Sequence, residues 1–382
     1  MAGVKCGIDV LKGNADKIKG MKIGLVANHT AADINLKSTI DILNEMGELK
    51  CLFSPEHGVR GNFEAGMRTP DYVDEKTGVK VYSLYGETKK PTPVMLKDID
   101  VLIFDIQDVG VRYYTYLYTM AYAMQAASES GKRFVVLDRP NPIGGVQVEG
   151  NILDAEFSSF VGMYPIPVRY GLTVGELAMF INQEFGIDCD IDIIAMDNWK
   201  REMYYDETGL LWISPSPNIP SFDTAILYSG TCLFEGTNIS EGRGTTRPFE
   251  IIGAPWIDSY KLSDEMNKKR LSGVVFRPVH FIPYYSKHKN NVCKGVQIHI
   301  TDKKSVNAIE VGIRLLYEII KVSGGNFEWP PPSGNSKYYF IDHLAGTDEL
   351  RLMKYGEDEL LEKWGEQSRE FEVKKQKYHI YK

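Results

Sequence analysis

The first half of the chain repeats a pattern in which a short apolar run ends in a cluster of polar residues. Each run spans only about four to eight residues, which favours a buried parallel strand over a helix. Between the runs, apolar residues recur at helical spacing, and Thr173 and Glu176 form a capping box at the start of one such helix. This alternation predicts a Rossmann-like parallel sheet. The predicted strands cover residues 22–27, 49–53, 79–84, 101–106, 134–137 and 189–196, and the predicted helices cover 38–46, 114–130 and 173–185.

A proline-rich connector over residues 212–220 separates the two halves of the chain. A length of 382 residues also exceeds that of one ordinary domain. The sequence therefore predicts a Rossmann-like α/β catalytic domain over 1–225 and a smaller α/β (α+β) domain over 226–382 that contributes to a cleft. In the second domain we expect strands over 274–282 and 295–300, a helix over 305–322 and a charged, mostly helical tail from 348 onward.

The composition, 43% hydrophobic and 25% charged, is that of a soluble globular protein. A net charge of −7 provides no basic surface for nucleic acid. The five cysteines are widely spaced without a CxxC pair, which indicates a reducing compartment and argues against a disulfide framework. No apolar stretch is long enough for a membrane span, and the first residues lack the apolar core of a signal peptide. We expect a cytoplasmic protein, or a secreted or periplasmic one if the N terminus was trimmed, and a homodimer is compatible with the sequence.

Residues 54–61, SPEHGVRG, are the strongest candidate for a functional turn. A proline ends the strand before them, and two glycines let the backbone turn sharply. Glu56, His57 and Arg60 would then lie at the carboxyl end of a parallel strand, where open α/β sheets bind ligands. The alternative is a plain turn with a solvated glutamate and a histidine that only supports it. Later strands would bring Asp105, Asp108, Asp138 and Asn141 to the same edge.

Several common chemistries have no motif in this chain. Residues 27–31, after the first strand, contain no glycine, so the dinucleotide-binding fingerprint is missing, and there is no GxxxxGK[ST] loop. The histidines show no metal-ligand spacing, and His57 near Asp105 is better explained by a hydrogen-bonded pair than by a metal site. A GxSxG elbow and a cysteine in an electropositive turn are also missing. We predict neither a cofactor nor a metal.

Carboxylate, amide, hydroxyl and aromatic side chains dominate the predicted loops, as is typical of a sugar site. Glycoside cleavage needs one protonated carboxyl as general acid and commonly a second group as base, nucleophile or orienter of a substrate acetamide. Glu56 is the candidate acid, since apolar Phe53 close by would favour its protonated form. Glu241, in a glycine-rich loop over 233–249, is the first candidate for the second carboxylate, and Glu235 and Asp105 are the alternatives. Four loop arginines would hold an anionic group, although each alone is more commonly a salt-bridge partner: Arg60, Arg112, Arg243 and Arg247.

Six segments resemble, in order, the motifs of the exo-β-N-acetylmuramidase family typified by NamZ, once described as a domain of unknown function. They are GLVANHT (24–30), SPEHGVRG (54–61), DIQDVGVRYYTY (105–116), DRPNPIGG (138–145), PSPNIP (215–220) and EGTNISEGRGTTRPFEIIGAPW (235–256). The resemblance is strong up to residue 256 and weaker beyond it. Several long motifs in one order are more specific than any single motif.

The resemblance implies an enzyme that removes terminal N-acetylmuramic acid from the non-reducing end of peptidoglycan fragments in cell-wall turnover. It also implies an active site in the cleft between the two domains, with Glu56 as the catalytic residue. The lactyl carboxylate of that sugar would give the arginines a role in distinguishing it from N-acetylglucosamine. The predicted substrate-binding residues are Asn28, His57, Arg60, Asp105, Arg112, Tyr113, Asp138, Asn141, Asn238 and Arg243.

Two other functions stay open on the sequence alone. A non-catalytic binding protein for muropeptides or sugar acids would use the same cleft, but it would need only amides, arginines and aromatic rings. A phosphosugar isomerase or transferase would need glycines at a helix N terminus to bind phosphate, and Gly144 and Gly145 are the candidates for that role.

Overall fold

The computed structural model describes residues 3–63, 70–334 and 336–382. Its larger sheet has seven strands, which are β1 (Lys22–Ala27), β2 (Glu48–Ser54), β3 (Tyr72–Val73), β4 (Lys80–Ser83), β5 (Val101–Asp105), β6 (Arg133–Leu137) and β7 (Ile191–Ile194). Their order across the sheet is β3-β4-β2-β1-β5-β6-β7. Every neighbouring pair is parallel except β3 with β4. Parallel strands buried on both faces explain why the sequence shows them as continuous apolar runs.

The smaller sheet contains three antiparallel strands, β8 (Ile251–Ala254), β9 (Val274–Phe281) and β10 (Cys293–Ile300), with β10 in the middle. The helices pack around the two sheets. They are α1 (Gly7–Gly13), α2 (Thr39–Met46), α3 (Pro93–Leu96), α4 (Tyr116–Glu129), α5 (Val174–Glu184), α6 (Phe222–Thr231), α7 (Ser259–Lys268), α8 (Ala308–Val322), α9 (Phe340–Ala345) and α10 (Glu357–Lys375).

The predicted fold class is confirmed, with a mostly parallel α/β sheet and a second, smaller sheet. The predicted N-terminal strands, and the helices matching α2, α4, α5 and α8, differ from the observed elements by a few residues at most. The predicted capping box of α5 is present, since the Thr173 side chain accepts from the backbone N–H of Glu176. The end of the first domain at residue 225 stays a prediction. In the part of the chain described here, no helix combines the length and apolar character needed to cross a bilayer.

Helix α6 was missed because it is buried along nearly its whole length. Residues 224–231 are all buried, so the helix lacks the alternating polar face that identifies an amphipathic helix in a sequence. It crosses α8 with the two backbones in direct contact. A Cβ atom on Gly230 would lie 1.7 Å from the carbonyl oxygen of Ala308, and one on Gly312 would lie 2.3 Å from that of Gly230. Only glycine permits this approach.

The last residues of the chain return to the larger sheet. The Tyr381 hydroxyl donates to Asp138 at 2.6 Å, directly after β6. The ammonium of Lys375 donates to the carbonyl oxygens of Gly145 at 2.7 Å and Gly171 at 2.8 Å. The tail predicted to be charged and helical therefore also completes the interior of the first domain.

The helix contact predicts that Gly230→Ala lowers the free energy of unfolding by about 3 kcal/mol, because the methyl group would force the two backbones apart. Urea unfolding would measure the change. Gly365→Ala on α10 is the control, since a Cβ there meets only the mobile end of Arg369. That control should be neutral or stabilising by up to about 1 kcal/mol. Equal effects of the two substitutions would contradict the proposed role of the contact.

Candidate active site

The loops that follow β2, β5 and β6 emerge at one edge of the sheet, because these strands run in the same direction. The turn after β2 is tightly built. His57 adopts a φ of 74° and Gly58 one of 81°, both in the left-handed region. The His57 ring is buried, and its Nδ1 lies 3.1 Å from the carbonyl oxygen of Phe63, so this nitrogen donates. The geometry fixes the backbone of the turn and gives His57 a supporting role.

Glu56 lies half-buried on this turn, surrounded by tyrosines. The Tyr85 hydroxyl is a hydrogen-bond partner of its carboxyl group, and burial together with the charge of Glu56 raises the pKa of Tyr85 to about 12. Tyr114 and Tyr116, after β5, are also close enough to be affected by this charge. Burial is the larger reason that their pKa values are raised, and Glu56 adds to it. The glutamate is therefore held among phenol groups.

Three buried polar atoms close to these tyrosines have no hydrogen-bond partner among the described residues. They are Nδ2 of Asn28, Oδ1 of Asp108 and the hydroxyl of Tyr114, none of which makes a hydrogen bond of good geometry. The Tyr116 hydroxyl nevertheless lies close to both Asn28 and Tyr114. The other oxygen of Asp108 accepts from the N–H of Gly110 at 2.7 Å and from the hydroxyl of Tyr170. Burial raises the pKa of Asp108 to about 6, although both of these hydrogen bonds oppose it. Unpaired polar atoms beside a carboxyl group are characteristic of ligand sites.

Three other residues predicted at this edge hold the loops together. Asp105 is fully buried and pairs with Arg139 at 2.5 and 2.9 Å. Asp138 accepts from the Thr173 hydroxyl at 2.7 Å and the Gly175 N–H at 2.8 Å, besides Tyr381. The third, Asn141, donates to the carbonyl oxygen of Leu172 and accepts from the N–H of Ile143. Their geometry supports a structural role and not contact with a substrate.

Two of the predicted arginines are also engaged within the protein. The Arg60 guanidinium forms a bidentate ion pair with Asp74, in which Nε and Nη2 each lie 2.9 Å from a carboxylate oxygen. It also donates to Asp41 at 3.0 Å. Arg112 is 0% exposed, and its guanidinium donates to backbone carbonyl oxygens. The neighbouring Tyr113 is buried, with its hydroxyl 3.3 Å from the carbonyl oxygen of Ser229. These geometries do not support substrate contacts by the three residues.

The glycine-rich loop carries a network of alternating charges. Arg243 donates to Glu235 at 2.9 Å, and its Nε lies 3.3 Å from Glu241. The other oxygen of Glu241 pairs with Lys287 at 2.8 Å, and Glu241 is only 2% exposed. Asn238 holds residues 326–328 by accepting from the N–H of Glu328 and donating to the carbonyl oxygen of Asn326. Both oxygens of Glu241 are therefore paired, whereas about a quarter of the Arg243 side chain is exposed.

Aromatic rings in edge-to-face contact connect this network to the surroundings of Glu56. The ring centre of Tyr228 lies 6.2 Å from that of Tyr114 and 4.7 Å from that of Phe249. The Arg243 guanidinium lies 5.2 Å from the centre of the Phe249 ring. Sequence reasoning missed Tyr85 and Tyr114 as site residues, and it placed Asp108 at the strand edge without naming it as a substrate-binding residue. Asp108 and Tyr114 both lie in a segment that carries the family resemblance. The tyrosine-rich run 113–118 is compatible with stacking surface for a ligand, but an aromatic stripe on a helix more commonly belongs to the core.

Two further features bear on the chemistry of the site. Among residues 3–63, 70–334 and 336–382, no group of three His, Cys, Asp or Glu side chains is arranged to hold a metal ion. The Gly144–Gly145 pair does not precede a helix N terminus, and the N–H of Gly145 donates to the carbonyl oxygen of Arg201. The geometry expected of a phosphosugar enzyme at these glycines is therefore not found. A half-buried carboxyl group among tyrosines, at the carboxyl end of a parallel strand, is compatible with a glycosidase, in which a carboxyl group serves as general acid.

Comparison with known proteins agrees with this class. The family models described as "Exo-beta-N-acetylmuramidase NamZ, N-terminal" and "C-terminal" match residues 23–223 and 226–381. The chain is 48% identical over 384 aligned residues to the peptidoglycan beta-N-acetylmuramidase NamZ of Bacillus subtilis (strain 168), covering 99% of this chain and 91% of that protein. The chain belongs to the NamZ family of exo-β-N-acetylmuramidases.

Two solved structures from Bacteroides fragilis NCTC 9343, both described as DUF1343 family proteins, share the fold. The first has a TM-score of 0.91 and 40% sequence identity, with 100% of both chains covered. The second has a TM-score of 0.79 and 32% identity, covering 100% of this chain and 99% of the other. The similarity extends over the whole chain and includes both sheets.

The bidentate ion pair between Arg60 and Asp74 predicts that Arg60→Gln lowers the free energy of unfolding by about 2 kcal/mol at pH 7. The hydrogen bond from Arg60 holds the pKa of Asp74 at about 2, below the usual 3.8. A depressed carboxylate pKa stabilises the fold above the unfolded value, and this stabilisation is lost as the pH falls from 3.8 toward 2. The difference in unfolding free energy between Arg60→Gln and the wild type should therefore decrease as the pH falls from 3.8 toward 2.

Thermal unfolding at a series of pH values would test this prediction. Arg369→Gln is the matched control, because Arg369 and its partner Glu362 are both largely exposed. We expect this control to change stability by less than about 0.5 kcal/mol. An Arg60 variant with unchanged stability but a raised KM would instead indicate that Arg60 contacts the substrate.

Proposed function

We propose that this protein hydrolyses the β-glycosidic bond of a terminal N-acetylmuramic acid at the non-reducing end of peptidoglycan fragments. Membership of the NamZ family, together with a relative of 48% identity that is itself a peptidoglycan beta-N-acetylmuramidase, carries the proposal. A carboxyl group at the strand edge gives this activity a chemical basis. We also propose that the catalytic domain ends near residue 225 and that the rest of the chain contributes to the cleft.

In the proposed mechanism, Glu56 donates a proton to the leaving glycosidic oxygen as the bond to the anomeric carbon breaks. Water supplies the hydroxyl group of the released sugar. The hydrogen bond between Tyr85 and Glu56 orients the carboxyl group. The unpaired groups of Asn28, Asp108 and Tyr114 lie where a polar substrate group would supply partners. Part of the binding free energy would then come from satisfying these buried atoms.

We assign Glu241 to a supporting role in this mechanism, although the sequence made it the candidate second carboxylate. Its two oxygens pair with Arg243 and Lys287, so a reacting sugar would have to displace a cation to reach it. Arg243 is the better candidate for contact with the substrate. Its partly exposed guanidinium could hold the lactyl carboxylate, which N-acetylglucosamine lacks.

The reaction can be tested with para-nitrophenyl β-N-acetylmuramide and, in parallel, the matching N-acetylglucosaminide. Release of nitrophenolate from the muramide alone is the expected result. Saturable binding of the muramide without any turnover would instead support the alternative of a sugar-acid binding protein. The binding-protein alternative is less favoured, because the chain belongs to a glycosidase family.

Glu56→Gln should fold normally and lower kcat for the disaccharide of N-acetylmuramic acid β-linked to N-acetylglucosamine by about a hundredfold to ten thousandfold, because glutamine cannot donate the proton that the leaving sugar hydroxyl needs. Steady-state kinetics and a thermal melt would measure the two properties. Glu362→Gln, at a glutamate whose side chain is 71% exposed, is the control and should keep wild-type turnover. Wild-type rates in the Glu56 variant would remove this residue from the mechanism.

Arg243→Gln should raise KM for the muramide by about tenfold or more, since a charge-assisted contact with the lactyl carboxylate would be lost. Arg247→Gln is the comparison, because Arg247 is about half exposed and pairs locally with Glu250. A fall in kcat with an unchanged KM would argue against carboxylate binding by Arg243. Partial recovery in Arg243→Lys would separate the loss of charge from the loss of geometry.

A further inference from the structure

The loop between β9 and β10, residues 282–292, has a strained backbone around Lys287. Ser286, His288 and Asn290 have φ values of 67°, 55° and 62°, all in the left-handed region that favours glycine. A residue with a side chain keeps such a conformation only where its surroundings enforce it, and strain of this kind is common near functional sites. The contacts of the β9–β10 loop must therefore account for its shape.

The β9–β10 loop is fastened to the glycine-rich loop. The N–H of Tyr284 donates to the carbonyl oxygen of Gly244 at 2.9 Å. Nε2 of His288 donates to the carbonyl oxygen of Asn238 at 2.7 Å. The backbones also touch, since a Cβ atom on Gly244 would lie 2.7 Å from the backbone nitrogen of Tyr285. A movement of one loop would consequently move the other.

The same loop reaches the proline-rich connector between the two halves of the chain. The Tyr285 hydroxyl donates to the side-chain oxygen of Asn218 at 2.8 Å. Close by in the connector, the carbonyl oxygen of Pro215 accepts from the Tyr116 hydroxyl at 2.9 Å. Burial raises the pKa of Tyr116, and the charge of Glu56 adds to this effect. The connector therefore contacts both the β9–β10 loop and a tyrosine near Glu56.

Lys287 uses all three protons of its ammonium group within the protein. It donates to the carbonyl oxygens of Phe234 at 2.6 Å and Ile239 at 2.9 Å, both in the glycine-rich loop. Its third hydrogen bond goes to Glu241 at 2.8 Å. Glu241 is only 2% exposed, so Lys287 supplies one of the two positive charges that compensate a buried carboxylate.

The charges of this network are balanced, with Arg243 and Lys287 as the cations and Glu235 and Glu241 as the carboxylates. Without Lys287, Arg243 alone would compensate Glu241 and would be drawn more strongly to it. Burial raises the pKa of Glu235, but the loss of Lys287 lowers the charge of the network by one in either protonation state of Glu235. A negatively charged ligand at Arg243 would then be repelled.

We propose that Lys287 is a positioning residue that neutralises Glu241 and so leaves the Arg243 guanidinium available for the lactyl carboxylate of the substrate. The inference rests on the proposed function, and in particular on the proposed contact between Arg243 and the substrate. It gives the β9–β10 loop of the second domain a role in selecting muramic acid over a neutral amino sugar.

Two disaccharides that differ in one group test this inference. Both contain N-acetylmuramic acid β-linked to N-acetylglucosamine, and in the second the lactyl carboxylate is replaced by the neutral carboxamide. Lys287→Met should raise KM for the acid by about tenfold, because the charge presented to the carboxylate changes. For the carboxamide, KM should stay within about twofold of the wild type, and so should kcat for both substrates.

Lys289→Met is the matched control, since Lys289 is an exposed lysine of the same loop. It should leave KM for both disaccharides unchanged. An equal rise in KM for the acid and the carboxamide in Lys287→Met would show a general structural effect and overturn the inference. Unchanged KM values for both substrates would also overturn it.

A second variant separates charge from stability. Lys287→Met leaves Glu241 with one cation, which can lower the melting temperature. Lys287→Met/Glu241→Gln removes one charge of each sign and leaves no undercompensated carboxylate. In this double variant, KM for the acid should return to within about threefold of the wild type. A KM as high as that expected for Lys287→Met would contradict the charge balance on which the inference depends.

Binding measurements distinguish failure of this inference from failure of the proposed function. If the wild-type protein cleaves neither disaccharide, the proposed function fails, and calorimetric titration with the two disaccharides still tests the role of Lys287. An affinity that falls about tenfold in Lys287→Met for the acid alone would support it. Equal losses for both disaccharides, no loss for either, or no binding by the wild type would overturn it.

Discussion

The buried guanidinium of Arg112 is the interaction on which the candidate site depends. Among the described residues it has no carboxylate partner, and it is compensated by four backbone carbonyl oxygens, those of Asn151, Ile166, Leu344 and Ala345, at 2.7 to 3.1 Å. Burying an uncompensated charge costs several kcal/mol, so these segments must close around the arginine together. The same loop carries Asp108 and Tyr114 to Glu56. Helix α9 therefore holds the loop at the edge of the larger sheet that carries the candidate site, although it lies far along the chain.

The edge of the sheet is built from ion pairs and buried hydrogen bonds, with few side chains left for a ligand. Asp105 and Arg139 neutralise each other directly after two adjacent strands, and Asp138 joins β6 to α5 and to the end of the chain. Loops at this edge expose many backbone N–H groups, and acidic residues satisfy them. Most acidic residues there consequently serve the scaffold. This leaves Glu56, which is half-buried among phenol groups, as the acid best placed for chemistry.

Local signals revealed most of the fold but only part of the site. Short apolar runs located the parallel strands, and Thr173 with Glu176 located the start of α5. The turn containing Glu56 could be found because its proline and glycines act on neighbouring residues. The structural roles of the arginines could not be found from the sequence, because their partners are distant along the chain. Arg112 contacts Leu344, 232 positions away, and Arg60 contacts Asp74, 14 positions away. An arginine that binds a sugar acid and one that binds a backbone carbonyl look identical in a sequence.

The contact between Tyr381 and Asp138 places a constraint on biosynthesis. The N terminus of a chain leaves the ribosome first, and domains generally fold as they emerge. Here the larger sheet can assemble early, but the carboxylate of Asp138 and the backbone carbonyls around Lys375 lack these partners until residues 375–381 have left the ribosome. Until then, the interior of the nascent first domain contains polar groups that lack these hydrogen-bond partners. Helix α10 and the residues after it supply the missing partners.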